Sequence, residues 1–228
     1  MSRRSLFAAA LSLAYLAPHA LAHDGHLHAP APSGPAANYA FPLPEPGSYR
    51  LPAIKPAPGG SVLDETGAPH DLRDLVAGKV TMLAFVYTRC ADICPIATAR
   101  LQQLFELAGE DAALASRLRL VSMSFDPQHD TAEVMAEQAE LWRGPARTAP
   151  EWLFLTAPDE AALQPILTGY NQAVVKADPA DPAGALGHVL RVFLIDEVGT
   201  IRNIYSLDFL DPHLVFGDIR TLLMEGGS

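Results

Sequence analysis

Cys90 and Cys94 are the two cysteines of this chain, set four residues apart within Thr88-Arg89-Cys90-Ala91-Asp92-Ile93-Cys94-Pro95. The stretch ahead of them, residues 80–87, is a continuous apolar run rich in strand formers, the pattern of a strand buried on both faces. Behind them, Leu101, Leu104, Phe105 and Ala108 recur at helical spacing and predict a helix over about 95–107. Two thiols one helical turn apart at such a junction have two chemical uses: they close a disulfide or they hold a soft metal ion. One turn separates the Cα atoms by about 5.4–6 Å, within disulfide range. A ring this small removes little entropy from the unfolded chain, so stapling alone is a poor reason for the pair. Pro95 suits the first helical position, which puts Cys94 at the helix start, where the dipole favours a thiolate.

The rest of the chain alternates. A strand at 61–63 runs into a turn at 64–67, and a second long strand covers 118–125. After the Asp126-Pro127 turn, Asp130 reads as the cap of a helix over 131–142, with Glu133 three residues on. A strand at 152–155, a helix at 160–170, a hairpin of 189–195 and 200–205 around the turn 196–199, and a closing helix at 212–224 follow. This order predicts an α/β domain of three layers about a central mixed sheet, with the cysteine pair placed as in a thioredoxin-like fold. At 49% hydrophobic residues the chain can fill one sizeable core.

The N-terminus reads differently. Arg3-Arg4, a 12-residue apolar stretch at 6–17 and Ala20-Leu21-Ala22 have the layout of a secretion signal, residues 1–22, cut after Ala22. The stretch is short of the ~20 residues a spanning helix needs, although an uncleaved anchor is the alternative. A protein exported to the periplasm, soluble after cleavage, is expected. Residues 23–60 carry Pro30, Pro32, Pro35, Pro42, Pro44, Pro46, Pro52, Pro56 and Pro58 and read as a flexible, solvated tail ahead of a globular domain at 61–228. The net charge of −10 argues against nucleic acid and anionic membrane surfaces as partners.

Thiolates select soft ions, chiefly Cu(I) and zinc, and two of them leave a site incomplete. Histidine is the natural third ligand, and the domain offers His70, His129, His188 and His213. His188 stands between the loop 178–184 and the strand at 189–195, a position at a sheet end where ligands bind in α/β folds; an ordinary surface histidine reads equally well there. His23, His26 and His28 open the tail. With the new terminal amine they form a possible accessory Cu(II) site, the alternative being a solvated tail that binds nothing.

Together these residues resemble a known family. Thr88-x-Cys90-x-Asp92-Ile93-Cys94-Pro95 after Phe85-Val86-Tyr87, then Ser124-Phe125-Asp126-Pro127-Gln128-His129-Asp130-Thr131, then His188 ahead of Phe193-Leu194-Ile195-Asp196 and Gly199, are similar to the three motifs of the SCO/SenC family, the copper-binding thioredoxin-like proteins of cytochrome c oxidase assembly. The resemblance implies that Cys90, Cys94 and His188 bind one copper, as Cu(I) or Cu(II), with the dithiol reduced. Asp126 and Asp130 would then lie near the metal without touching it. It implies a monomeric metallochaperone rather than an enzyme, served by an external thiol reductant and delivering copper to, or reducing, an oxidase subunit with a two-copper centre. The alternative is a periplasmic thiol–disulfide oxidoreductase with Cys90 and Cys94 as its redox-active pair. A peroxiredoxin-like peroxidase would use a single activated cysteine, which this spacing does not suit.

Overall fold

In the computed structural model the described residues are 42–90, 93–143, 150–176 and 186–226. The expected signal at 1–22, the histidines of the tail and the spacer residues Ala91 and Asp92 lie outside them. The central strand is β4 (Val80–Val86), buried along its whole length. It pairs in parallel with β5 (Leu118–Ser124), which pairs in parallel with β6 (Glu151–Leu155). On its other side β4 is antiparallel to β9 (Val192–Ile195), followed by β10 (Thr200–Tyr205) and β1 (Lys55–Pro56). Among the described residues the sheet order is β1-β10-β9-β4-β5-β6.

Period-2 geometry sends alternate side chains of β4 to opposite faces, and each face has its own core. Val80, Met82, Ala84 and Val86 pack with apolar residues of α2 (Ile93–Gly109), α4 (Ala132–Arg143) and α6 (Pro212–Glu225). Leu83 and Phe85 pack with α1 (Leu72–Val76) and α5 (Glu160–Gly169). Helices therefore cover both faces of a mixed sheet, and the thioredoxin-like three-layer expectation holds. The in-register pairing, Val80 opposite Leu118 through Val86 opposite Ser124, ends both parallel strands at one edge. The cysteine loop and the Phe125–Asp130 turn leave that edge side by side.

Four expectations need correction. The globular part starts before Ser61. Lys55 and Pro56 pair with Ile201 and Thr200, Leu51 and Ala57 are buried, and Arg202 donates to the Leu51 and Pro52 carbonyls. Proline lacks an N–H but is tolerated on an edge strand, where one side needs no ladder bonds, so proline density did not prevent docking here. Secondly, Asp130 does not cap α4. The Thr131 carbonyl and hydroxyl accept the Met135 and Val134 amides, at 2.9 and 3.5 Å, while Asp130 turns inward and is fully buried. Thirdly, α2 begins at Ile93, so Pro95 sits two residues inside it, still among the amides a helix leaves unbonded. Fourthly, His188 does not precede a sheet strand directly. It ends β8 (Leu186–His188), which pairs with β7 (Val174–Lys176) in a separate two-stranded ribbon. The sequence reading also lacked β3 (Pro69–Asp71), α1 and α3 (Ala112–Arg117).

Besides the β1 ladder and Arg202, a buried carboxylate ties the docked segment at 47–57 to α6. Asp218 on α6 accepts the Tyr49 and Tyr205 hydroxyls, both at 2.6 Å, and the Asn203 amide at 3.0 Å. Asp218→Ala leaves these donors without their acceptor and is expected to cost roughly 2–4 kcal/mol. Urea unfolding would measure the cost, and a loss below about 0.5 kcal/mol would show that the segment is held by other contacts.

Candidate metal centre

The chain leaves β4 through Tyr87, turns, and re-enters α2 within six residues. The turn is closed by the Cys90 amide donating to the Tyr87 carbonyl at 3.3 Å. Cys94, in the first turn of α2, donates its backbone N–H to Cys90 Sγ at 3.4 Å. Both cysteines are buried free thiols. Cys94 Sγ lies 3.7 Å from His188 Nε2. Of the four domain histidines raised by the sequence, His188 is thus the one brought to a sulfur. His70 is paired with Asp64 and His129 with Asp126, each at 2.9 Å. His213 lies in the first turn of α6, its amide bonded to the capping Asp211.

Two carboxylates fix the loop without reaching into the site. Asp130 accepts the Thr88 amide at 3.1 Å, the Thr88 hydroxyl at 2.5 Å and the Ser124 hydroxyl at 2.6 Å. Asp126 is clamped by the Arg89 guanidinium at 2.7 Å and by His129 Nδ1 at 2.9 Å. The two residues just before Cys90 are therefore each tied to the turn after β5.

The electrostatics differ from the sequence expectation. Burial, then the hydrogen bond with Cys90, pushes the Cys94 thiol up to about 12. A helix terminus is worth only a fraction of the cost of a buried anion, and the Cys94 amide is spent on Cys90 Sγ. Burial lowers the His188 pKa, which keeps its imidazole neutral and a ring nitrogen free to ligate. Its other nitrogen, Nδ1, is buried without a well-formed hydrogen bond, with the Val189 backbone in reach.

Among the described residues no three His, Cys, Asp or Glu side chains form a ready-made cage. The Cys94–His188 pair nevertheless has the right span. A sulfur at about 2.3 Å and a nitrogen at about 2.0 Å from one ion, at tetrahedral to trigonal angles, lie about 3.5–3.7 Å apart. Cys90 Sγ lies against the Cys94 amide, at 3.4 Å. The donor set, two sulfurs and one neutral imidazole, is that of a soft ion.

The strand carrying His188 is held from the cysteine side, by a residue the sequence reading passed over. The Tyr87 hydroxyl donates to the Leu186 carbonyl at 3.1 Å. Its ring lies 5.0 Å from that of Phe125, which lies 4.6 Å from the His188 imidazole. The only hint in the sequence was a polar tip at the end of an apolar strand, where buried tyrosine needs a partner.

A sequence model of the SCO1/SenC family matches residues 61–224. Protein SenC of Rhodobacter capsulatus is 27% identical over 163 residues, covering 72% of this chain and 68% of that protein. Among solved structures, apo Sco1 of Thermus thermophilus is 25% identical with a TM-score of 0.64, covering 77% of this chain and 95% of the other. ScoI of Bradyrhizobium japonicum with copper bound is 22% identical with a TM-score of 0.61, covering 73% and 98%.

The raised Cys94 pKa has a sign that can be checked. The thiol ionises near 9 in the unfolded chain and near 12 in the fold, so its contribution is fully present below pH 9 and is lost as pH rises toward 12. Reduced, metal-free protein is expected to lose stability between pH 9 and 10.5 more steeply than Cys94→Ala, as followed by urea unfolding. Parallel slopes would show that the thiol is not held protonated.

Proposed function

The chain belongs to the SCO1/SenC family, and on that premise we propose that it is an exported metallochaperone. It carries one copper ion on Cys90, Cys94 and His188 toward a copper site such as that of cytochrome c oxidase. The observation that carries this reading is the 3.7 Å approach of His188 Nε2 to Cys94 Sγ. Two segments 94 residues apart in sequence meet there with the ligand chemistry that Cu(I) prefers. The same fold in the copper-bound ScoI of Bradyrhizobium japonicum supports it.

Copper is the cargo, and the residues have separate tasks toward it. Cys90 and Cys94 exchange their protons for the ion, so uptake releases protons and strengthens with pH. His188 supplies a neutral nitrogen. Asp126 and Asp130 hold Arg89 and Thr88, and through them the loop that presents Cys90. Among the described residues no helix is long and apolar enough to cross a membrane.

A thiol–disulfide oxidoreductase is the second reading. It is favoured by one feature: the two cysteines lie against each other, the Cys94 amide on Cys90 Sγ at 3.4 Å. A disulfide here could not ligate Cu(I), so either reading needs an external thiol reductant.

Reduced protein is expected to retain one copper per chain by metal analysis, and to lose it in Cys90→Ser and in His188→Ala. His188→Ala should leave thiol–disulfide exchange largely intact. Copper retained by His188→Ala at the wild-type level would remove the three-ligand site. No copper in any variant, together with a reducible disulfide, would leave the oxidoreductase.

A further inference from the structure

Tyr87 joins the two halves of the proposed copper centre. On the cysteine side, its carbonyl accepts the Cys90 amide at 3.3 Å and lies within reach of the Cys94 thiol. Its hydroxyl is within hydrogen-bonding reach of the Cys90 thiol. On the histidine side, the same hydroxyl donates to the Leu186 carbonyl at 3.1 Å, two residues before His188 on β8. The ring adds tilted aromatic contacts through Phe125 to the imidazole, at 5.0 and 4.6 Å between centroids.

The ring and the hydroxyl have separable jobs. A phenylalanine would keep the contact with Phe125, because the ring planes and their contacts do not involve the oxygen. The hydroxyl is largely buried, and burying it costs free energy that a hydrogen bond must offset. It carries one proton and two lone pairs. The proton goes to Leu186, and Cys90 lies within reach of the same oxygen. β8 has three residues and pairs with a strand of three, so its own ladder gives it little hold.

Resting on the copper reading above, we propose that the Tyr87 hydroxyl is a positioning group of the centre. By bonding Leu186 it fixes β8 so that His188 Nε2 stays over Cys94 Sγ, and by lying against Cys90 it links that placement to the second sulfur. The hydroxyl touches no metal; it sets how long the imidazole remains in place.

The test compares the full chain with Tyr87→Phe, both reduced. In the metal-free proteins, amide hydrogen exchange at Val174–Lys176 and Leu186–His188 is expected to be faster in Tyr87→Phe, with the central sheet unchanged. After loading with Cu(I), loss of the ion to the chelator bathocuproine disulfonate is expected to be about 10-fold faster. The sulfur-to-copper absorption of the Cu(II) form is expected to shift, which a loss of packing alone would not produce. Unchanged exchange at the ribbon overturns the proposal, and so does faster exchange with wild-type copper loss and spectrum. Wild-type protein that takes up no copper overturns the copper reading and this proposal with it. That result is told apart from failure of the latch alone by the ribbon exchange, which needs no metal.

Discussion

A single buried carboxylate, Asp130, ties the two parallel strands together where the chemistry lies. It is fully buried, a placement that costs several kcal/mol for an unpaired ion. Three donors offset the cost: the Thr88 amide, the Thr88 hydroxyl and the Ser124 hydroxyl. Two of them belong to the loop after β4 and one to the end of β5. The in-register pairing of β4 and β5 brings those ends together, and Asp130 locks them. With Thr88 fixed, Cys90 falls within reach of the first amides of α2, and the helix start in turn fixes Cys94. The cysteine geometry is thus set by a residue 36 positions downstream of Cys94.

What the sequence disclosed followed from strong, local patterns. The apolar run at 80–87, the helical spacing after it and the hairpin about Asp196 to Gly199 each carry their own period, and each formed with shifted ends: β4 stops at Val86, α2 runs from Ile93 and β9 starts at Val192. The cysteine pair and His188 were legible as chemistry, and the fold brings Cys94 and His188 within 3.7 Å. What stayed hidden depends on tertiary context. An aspartate just before a helix reads as a cap, and nothing local tells a capping Asp130 from one turned inward toward Thr88; here Thr131 takes the cap instead. The three-residue strands of the β7–β8 ribbon are too short to show a period. Proline density read as a solvated tail because local rules describe the chain alone, whereas the lead-in to β1 is held by Arg202 at Leu51 and Pro52 and by Asp218 at Tyr49, about 150 residues away or more.

The helix-dipole argument failed for a reason of magnitude. A thiol at a helix start is favoured as a thiolate when solvent can share its charge. Cys94 is buried beside another sulfur, and desolvation dominates. A thiol that keeps its proton, as Cys94 does, is slow to react with stray oxidants yet open to a metal strong enough to displace it. Such a site discriminates by the strength of the incoming ion.

The docking of residues 51–57 has a further consequence at the edge of the sheet. β10 would otherwise present a row of unpaired amides and carbonyls, which could template pairing with another chain. β1 covers the start of it, at Thr200 and Ile201, and Pro56 in that outermost strand has no amide hydrogen to offer. The proline-rich lead-in thus acts as a hem: it finishes the sheet where a second molecule would otherwise add its own strand, and so guards against edge-to-edge aggregation.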